Sequence, residues 1–428
     1  MRLKRILPLV MAVMMVAVGF TGCPGDGDDR ITITLVNNKI EIDAALRAFA
    51  AIYERETGVR VIVQSFGGET PYAPALAAMF AGGTEPEIFV FEGLAGYLDA
   101  RHGGRITYLD NEPWLADTDL AYISPTTGRV VGFPVAIEGW GLGYNRELLR
   151  QAGVDPRTMT NIAGVRAAFE RIESMRLAGQ LDIDAVVSMA AGPGMEWVTG
   201  LHAVNAYLTL GLPYDNSTRY IDMLNRGEVD RQRLRYFAEY IDLLFRHSIP
   251  AALTVMGYDA QIGNFATQRT VFIHQGNWTD PVFADMGVTF EMGFAPHAFL
   301  PQTTDGIFIG APSFYLVNAR APAENIQAAK DFLTFMATTP AGHDFMVTQA
   351  GAVAAFRSVT LQPPGQFSQS VQQWAARGSS HMFAWQQNEM PDGFGMGTLG
   401  PIFHLLATQT IGVDEFVDMF AAAVATLR

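Results

Sequence analysis

The chain has 428 residues, 49% of them hydrophobic, with one cysteine and a formal net charge of −14. The acidic balance argues against nucleic acid or anionic lipid as a partner, and a lone cysteine excludes both an internal disulfide and a cysteine-based metal site. About 400 residues beyond the amino-terminal segment exceed one ordinary core, so two lobes are expected.

The amino terminus has the layout of a cleaved export signal. Arg2, Lys4 and Arg5 form a basic region, Ile6 to Phe20 an apolar one, and Phe20-Thr21-Gly22-Cys23 closes it with small residues. An uncleaved anchor is the alternative, but the stretch falls short of the roughly 20 residues a spanning helix needs. Cys23 stands where the lipobox of bacterial lipoproteins, which this terminus resembles, would place it. Residues 1–22 are therefore expected to be a signal peptide and 23–29 a short tether lipidated at Cys23. That resemblance implies three acyl chains, and several hold where one binds marginally. A membrane-anchored soluble body, in the periplasm or on the outer face of the cell membrane, is the expectation.

The next hundred residues alternate strand and helix. Ile31, Ile33 and Leu35 alternate with Thr32 and Thr34 as a strand; Asp43 starts a helix with Leu46, Phe49, Ala50 and Tyr53 inward, ending at Gly58. Val59–Phe66 predicts a second strand, Leu76, Met79 and Phe80 the face of a second helix, and Glu87–Phe91 a third strand. This is βαβαβ, hence a parallel sheet covered by helices. Ligands bind beyond the carboxyl ends of such strands. There stand Asn38 and Glu41, then Glu69, then Glu92, polar groups suited to a polyhydroxylated ligand; each tip taken alone also reads as an ordinary solvated turn.

Residues 150–300 read as mainly helical, with Val165, Phe169 and Ile172 on one face and Leu234, Phe237, Ile241, Leu244 and Phe245 on another. Thr270–His274, Val288–Phe294 and Gly306–Asn318 each read as a strand. Glu324–Ala337 predicts a helix with Ile326, Ala329, Leu333 and Met336 inward, and Thr339-Pro340 starts another.

Three segments carry a family likeness. Phe133–Leu148 holds Pro134, Glu138, Tyr144 and Asn145; Phe265–Phe294 holds Gly276-Asn277-Trp278; and Ala328-Ala329-Lys330-Asp331-Phe332-Leu333 lies within the helix read over Glu324–Ala337. In this order they resemble the extracellular solute-binding proteins of bacterial ABC importers, the family-1 carbohydrate binders that include maltose-binding protein. The likeness spans about residues 30–428. Thr267-Gln268-Arg269-Thr270-Val271 departs from the family's usual Gly-Lys-Ala-Ala-Met, altering the approach to the strand and not its end. The resemblance implies an α/β, two-lobe periplasmic-binding-protein fold with hinge strands and an interlobe ligand cleft, with 30–137 and 312–356 in lobe 1 and 138–310 and 357–428 in lobe 2. It also implies a carbohydrate ligand, an ABC permease as partner, a monomer, and no cofactor.

A sugar offers an apolar C–H face and a rim of hydroxyls, so aromatic rings and carboxylates or amides suit it. Trp278 matches the family's stacking tryptophan, with a core role as the alternative; Asn277 precedes it, and Glu138 matches the crossing glutamate. Trp140 reads either as a ligand contact or as hinge packing. Glu196 and Trp197, in a glycine-rich loop, and Trp385 or Phe394, in the carboxyl-terminal segment, complete the candidates. Gly395, Gly397 and Gly400 spell G-x-G-x-x-G, but no strand precedes them as a dinucleotide site requires.

No H-E-x-x-H or G-x-S-x-G occurs, and the eight histidines show no metal spacing. A glycoside hydrolase needs only two carboxylates and stays open as the alternative, as does a binder of a non-sugar solute. Incubation with oligosaccharides separates them: product release favours the enzyme, saturable binding without turnover the receptor.

Overall fold

A computed structural model describes residues 30–67, 72–91, 104–124, 126–391 and 393–428. The signal segment, the tether with Cys23, Glu69 and Glu92 lie outside the described residues. Among the latter are twelve strands: β1 Thr32–Asn37, β2 Arg60–Ser65, β3 Ile88–Phe91, β4 Tyr122–Ile123, β5 Val130–Pro134, β6 Glu138–Asn145, β7 Ala185–Ser188, β8 Thr270–Gly276, β9 Met292–Ala295, β10 Ile307–Gly310, β11 Phe314–Val317 and β12 Met382–Phe383.

They form two sheets. The first runs β2-β1-β3-β11-β5-β4. β1 is parallel to β2 and β3, as the helices Asp43–Thr57 and Tyr72–Gly82 between them require. The helix Asp43–Thr57 buries Leu46, Phe49, Ala50 and Tyr53 and ends at Gly58, whose φ of 78° favours glycine. Phe332, on the helix Ala323–Thr338, packs 5.3 Å from the Phe49 ring and edge-on to Tyr53 at 5.0 Å. The next helix, Pro340–Asp344, begins as expected, with the Thr339 hydroxyl accepting from the Gly342 N–H at 3.1 Å.

The second sheet runs β12-β10-β6-β8-β7, with β9 also on β6. β6 is buried along its whole length, and its Glu-Gly-Trp-Gly-Leu-Gly-Tyr-Asn sequence follows from its two faces. Trp140, Leu142 and Tyr144 enter the larger core with Phe169, Phe237 and Phe272. On the other face a Cβ at Gly139, Gly141 or Gly143 would come within 2.6 Å of Val371, 2.7 Å of the Ala295 carbonyl or 2.7 Å of Phe367. Glycine at 139 and 143 lets the helix Gln366–Ala376 lie so close, and glycine at 141 admits the β9 carbonyl.

The chain passes from the first sheet to the second between β5 and β6, and back between β10 and β11. A bridge between Ile137 and Val353 ties the first crossing to a segment beyond β11. The apolar run Gly306–Asn318 is therefore not one strand. It breaks at Ala311-Pro312-Ser313, where proline has no N–H to offer a ladder, and its halves join different sheets. Val288–Phe294 likewise shortens to Met292–Ala295. Residues 31–428 make one packed unit. No helix among the described residues is long and apolar enough to cross a membrane.

Candidate functional site

A cavity lies where the crossings meet. Lys39, Glu41 and Ile42 after β1, Val135–Glu138 at the first crossing, Asn277 and Trp278 after β8, and Gly351 line it. Its volume is about 40 Å³, room for a few waters at the ~10–15 Å³ that each needs on this measure, so a sugar ring enters only if the sheets part. Across it the Lys39 ammonium pairs with the Glu138 carboxylate, joining the tip of the first sheet to the start of β6. Half-buried Tyr258 stands nearby. Burial, with the charges of Glu41, Asp259 and Glu138, holds its phenol well above the usual range, so it remains a hydrogen-bond donor.

Trp278 borders this cavity in the turn Asn277–Thr279 that ends β8. Its ring folds back over Gly276, where a Cβ would sit 2.1 Å from the indole; that explains glycine two residues before the tryptophan. The indole N–H donates to Gln275 Oε1 at 2.8 Å, Gln275 donates to Gln261 Oε1 at 2.8 Å, and Gln261 donates to the Ser188 and His274 carbonyls. Trp385 is held similarly: Gln387, with its amide oriented to suit both neighbours, accepts from the indole N–H at 3.1 Å. Both rings have their polar edge engaged by glutamine, and Trp278 turns its apolar surface to the cavity.

These rings belong to a larger aromatic wall. His202 centres it, 4.9 Å from Trp278, 5.3 Å from Trp197 and 5.7 Å from Trp385 by ring centroids, and Trp278 and Trp385 meet at 6.4 Å and 62°. All four are partly exposed. Trp197 and His202 ride on a π-helical segment, Trp197–Ala203, a geometry frequent at functional sites.

Behind the wall runs a buried relay: Tyr240 Oη to His297 Nδ1 at 2.5 Å, His297 Nε2 to His274 Nδ1 at 3.0 Å, and His274 Nε2 to the Val198 carbonyl at 3.3 Å. A carbonyl only accepts, so His274 Nε2 carries a proton, and each preceding group donates in turn. Burial pushes His274 down to about 4 and, with the His274 charge, His297 well below the ordinary imidazole range; both are neutral at pH 7. Val198 lies in the π-helical segment, so the relay ties that segment to the second sheet.

The other sequence candidates are placed less favourably. Asn277 accepts from the Gly139 N–H at 2.9 Å and donates to Ser368 Oγ at 3.2 Å, so its amide holds the crossing in place. Trp140 is 1% exposed and stacks on Phe308 at 4.1 Å in the core. Phe394 is buried in the same core. Glu196 is half-buried against Gly400, and Asn38 half-buried after β1. Gly395, Gly397 and Gly400 lie in and just after a π-helical segment, Phe394–Leu399, that follows no strand. Lys39, Tyr258, His202, Gln261, Gln275 and Gln387 were not candidates from sequence. Gln275 alone left a signal there, an amide beside His274 at the end of a strand that is apolar through Val271–Ile273. No group of three or more histidine, cysteine, aspartate or glutamate residues among the described ones is arranged to hold a metal.

Two α/β sheets joined by repeated crossings, with a polar and aromatic seam between them, define the two-lobed solute-binding class. The chain belongs to the bacterial extracellular solute-binding proteins, matching that family over residues 48–378. It is 22% identical over 296 residues to the melibiose/raffinose/stachyose-binding protein MelE of Bacillus subtilis (strain 168); the match covers 68% of this chain and 66% of that protein, just under two thirds of its length. Among solved structures it is similar to a sugar transporter of Bacillus licheniformis in complex with stachyose (16% identity, TM-score 0.71, 93% of this chain and 100% of that one). It is also similar to the solute-binding protein RafE in complex with raffinose (15%, TM-score 0.73, 93% and 99%). At these identities the structural likeness is one of fold.

Proposed function

We propose that this chain is a lipid-anchored substrate-binding protein that closes its lobes on a neutral sugar or oligosaccharide and delivers it to an ABC permease. The observation that carries this reading is the wall of Trp197, His202, Trp278 and Trp385 beside the polar seam of Lys39, Glu138 and Tyr258. Rings cover C–H faces, and the seam exchanges hydrogen bonds with hydroxyls. The relatives named for raffinose and stachyose support the same ligand class. Lobe 1 comprises residues 30–137 and 312–356, lobe 2 residues 138–310 and 357–428, and the protein acts as a monomer without catalysing turnover.

The test is a thermal-shift screen of the mature chain against raffinose, stachyose and chitooligosaccharides. A ligand at one hundred times its Kd adds about 2.7 kcal/mol to native stability, a readily visible rise in Tm. Small-angle scattering of the same samples is expected to show a smaller radius of gyration with sugar, since a ligand shifts the lobes only through its differential affinity for the closed state. An unchanged profile at saturation would place the site on one lobe. Product release from the oligosaccharides would instead identify a hydrolase.

Anchoring is tested separately. Cys23→Ser is expected to release the protein from membranes while leaving its Tm unchanged. Full membrane retention of that variant would mean that residues 6–20 are an uncleaved anchor.

A further inference from the structure

We propose that His202 is a ligand-binding residue of the aromatic wall, its imidazole exchanging a hydrogen bond with a hydroxyl of the bound ring. The inference rests on the sugar-binding reading above and assigns a polar contact to a surface otherwise made of indoles.

Three observations carry it. The first is hydrogen bonding. Of the eight histidines, His102 lies outside the described residues. His247, His343, His381 and His404 each have a ring nitrogen within 2.6–2.9 Å of a backbone carbonyl, and His274 and His297 are joined in the relay. His202 makes no hydrogen bond to another described residue, though it is only half-buried. An unbonded, half-buried imidazole among apolar rings is satisfied by solvent or by a ligand, and a ligand hydroxyl can take the place of water there.

The second is location. Three partly exposed tryptophans surround it, and Trp140 closes the inner side at 5.8 Å with rings nearly parallel, 21° apart. The rings of Trp197 and Trp385 stand edge-on to it at 86° and 89°. The imidazole edge is therefore the polar feature of the wall's centre. A hydroxyl of a sugar lying against Trp278 falls within reach of it.

The third is charge. Partial burial, with His274 and Lys39 nearby, holds the His202 imidazole well below its usual range, so at neutral pH it has one donor and one acceptor nitrogen. That pairing matches a hydroxyl, which both donates and accepts. It does not match a carboxylate, which would call for the imidazolium.

Two measurements decide the matter. Diethyl pyrocarbonate followed by peptide mass spectrometry is expected to modify His202 in the sugar-free protein and to spare His274 and His297, whose nitrogens are buried and bonded. An inert His202, under conditions that modify His381, overturns the proposal whatever the sugar. His202→Phe keeps an aromatic ring in the box and removes both nitrogens. It is expected to weaken binding at least tenfold for whichever of raffinose, stachyose or chitotriose stabilises the parent, with the sugar-free Tm little changed, and His202→Gln is expected to recover part of the loss. Parental affinity in His202→Phe also overturns it. Stabilisation of the parent by none of the three sugars would count against the sugar reading itself. The carbethoxylation result then decides alone, a reactive His202 supporting an available imidazole and an inert one refuting it.

Discussion

Trp278→Ala is expected to weaken sugar binding at least tenfold. Stacking on one aromatic ring is worth about 1–3 kcal/mol by analogy with base stacking, and tenfold is about 1.4 kcal/mol. The ring is partly exposed and rests on the Gly276 backbone. Its loss should therefore cost native stability only on the order of 1 kcal/mol, since the full burial of a large apolar side chain is worth about 1.5–3 kcal/mol. Glu138→Gln keeps the size of the side chain and part of its hydrogen bonding while ending the pairing with Lys39, so its effect on affinity should be the smaller of the two. Calorimetric titration and sugar-free melts of both variants separate binding from folding. If Trp278→Ala unfolds the sugar-free protein while its folded fraction binds as the parent does, the indole is a core residue and the site lies elsewhere.

Acidification between pH 6.5 and 4.5 is expected to destabilise the protein through the histidine relay. His274 has its folded pKa lowered to about 4 and His297 is lowered well below the ordinary value, so in this window the unfolded chain takes up protons that the native state refuses. Their contribution is complete above pH 6.5 and is lost as the pH falls. Asp280 acts in the opposite sense. Burial pushes it up to about 6, even though it accepts the Phe367 and Ser368 N–H groups at 3.0 and 2.7 Å at the start of the helix Gln366–Ala376. Its native state therefore gains a proton first, and stability rises as the pH falls through 6. His202, held low in the same way, adds to the relay pair, and three histidines against one aspartate leave a net loss of about 2.7 kcal/mol per pH unit below pH 6. Remaining above pH 4.5 keeps Asp43 and Asp110, which are held below their ordinary range by Arg47 and by the Val130 N–H, ionised and outside the balance. Urea titrations across the window should show a flatter slope for His297→Gln and a steeper one for Asp280→Asn. Coincident curves for the parent at pH 6.5 and 4.5 would show that the two imidazoles are not buried neutral.

Periodicity was a good guide wherever one face of an element meets one core. Leu46, Phe49, Ala50 and Tyr53, and later Leu234, Phe237, Ile241 and Leu244, are buried as their spacing demands. It failed at Gly306–Asn318, because a buried strand is apolar on both faces and nothing in its pattern records a change of sheet; Pro312 was the only sign. The site was legible to a different degree. Trp278 and Glu138 stood out through family motifs, and both line the seam. Residue type alone did not distinguish Trp140, which packs inward, from Trp278, one on β6 and the other just past the end of the neighbouring strand. Lys39, Tyr258 and His202 come together from segments far apart in the chain, and His202 comes from a π-helical segment that has neither of the usual periods. Asn277 illustrates the converse, an amide well placed for a ligand whose atoms instead hold Gly139 and Ser368.

The position of β11 also bears on how the protein is made. This strand, Phe314–Val317, sits between β3 and β5 with antiparallel pairing on both sides, so the middle of the first sheet is supplied by residues synthesised long after its edges. A nascent chain ending before residue 314 has β1, β2 and β3 but no partner for the inner edge of β3, and it also lacks the helix Ala323–Thr338 that covers Phe49 and Tyr53. Topology thus postpones folding of the amino-terminal half until most of the polypeptide has emerged. For a member of an extracellular family, such delay keeps the chain in a threadable state while it awaits translocation. Ribosome-bound chains truncated at residue 300 should accordingly be digested by protease throughout residues 31–134, and those extended past residue 356 should resist.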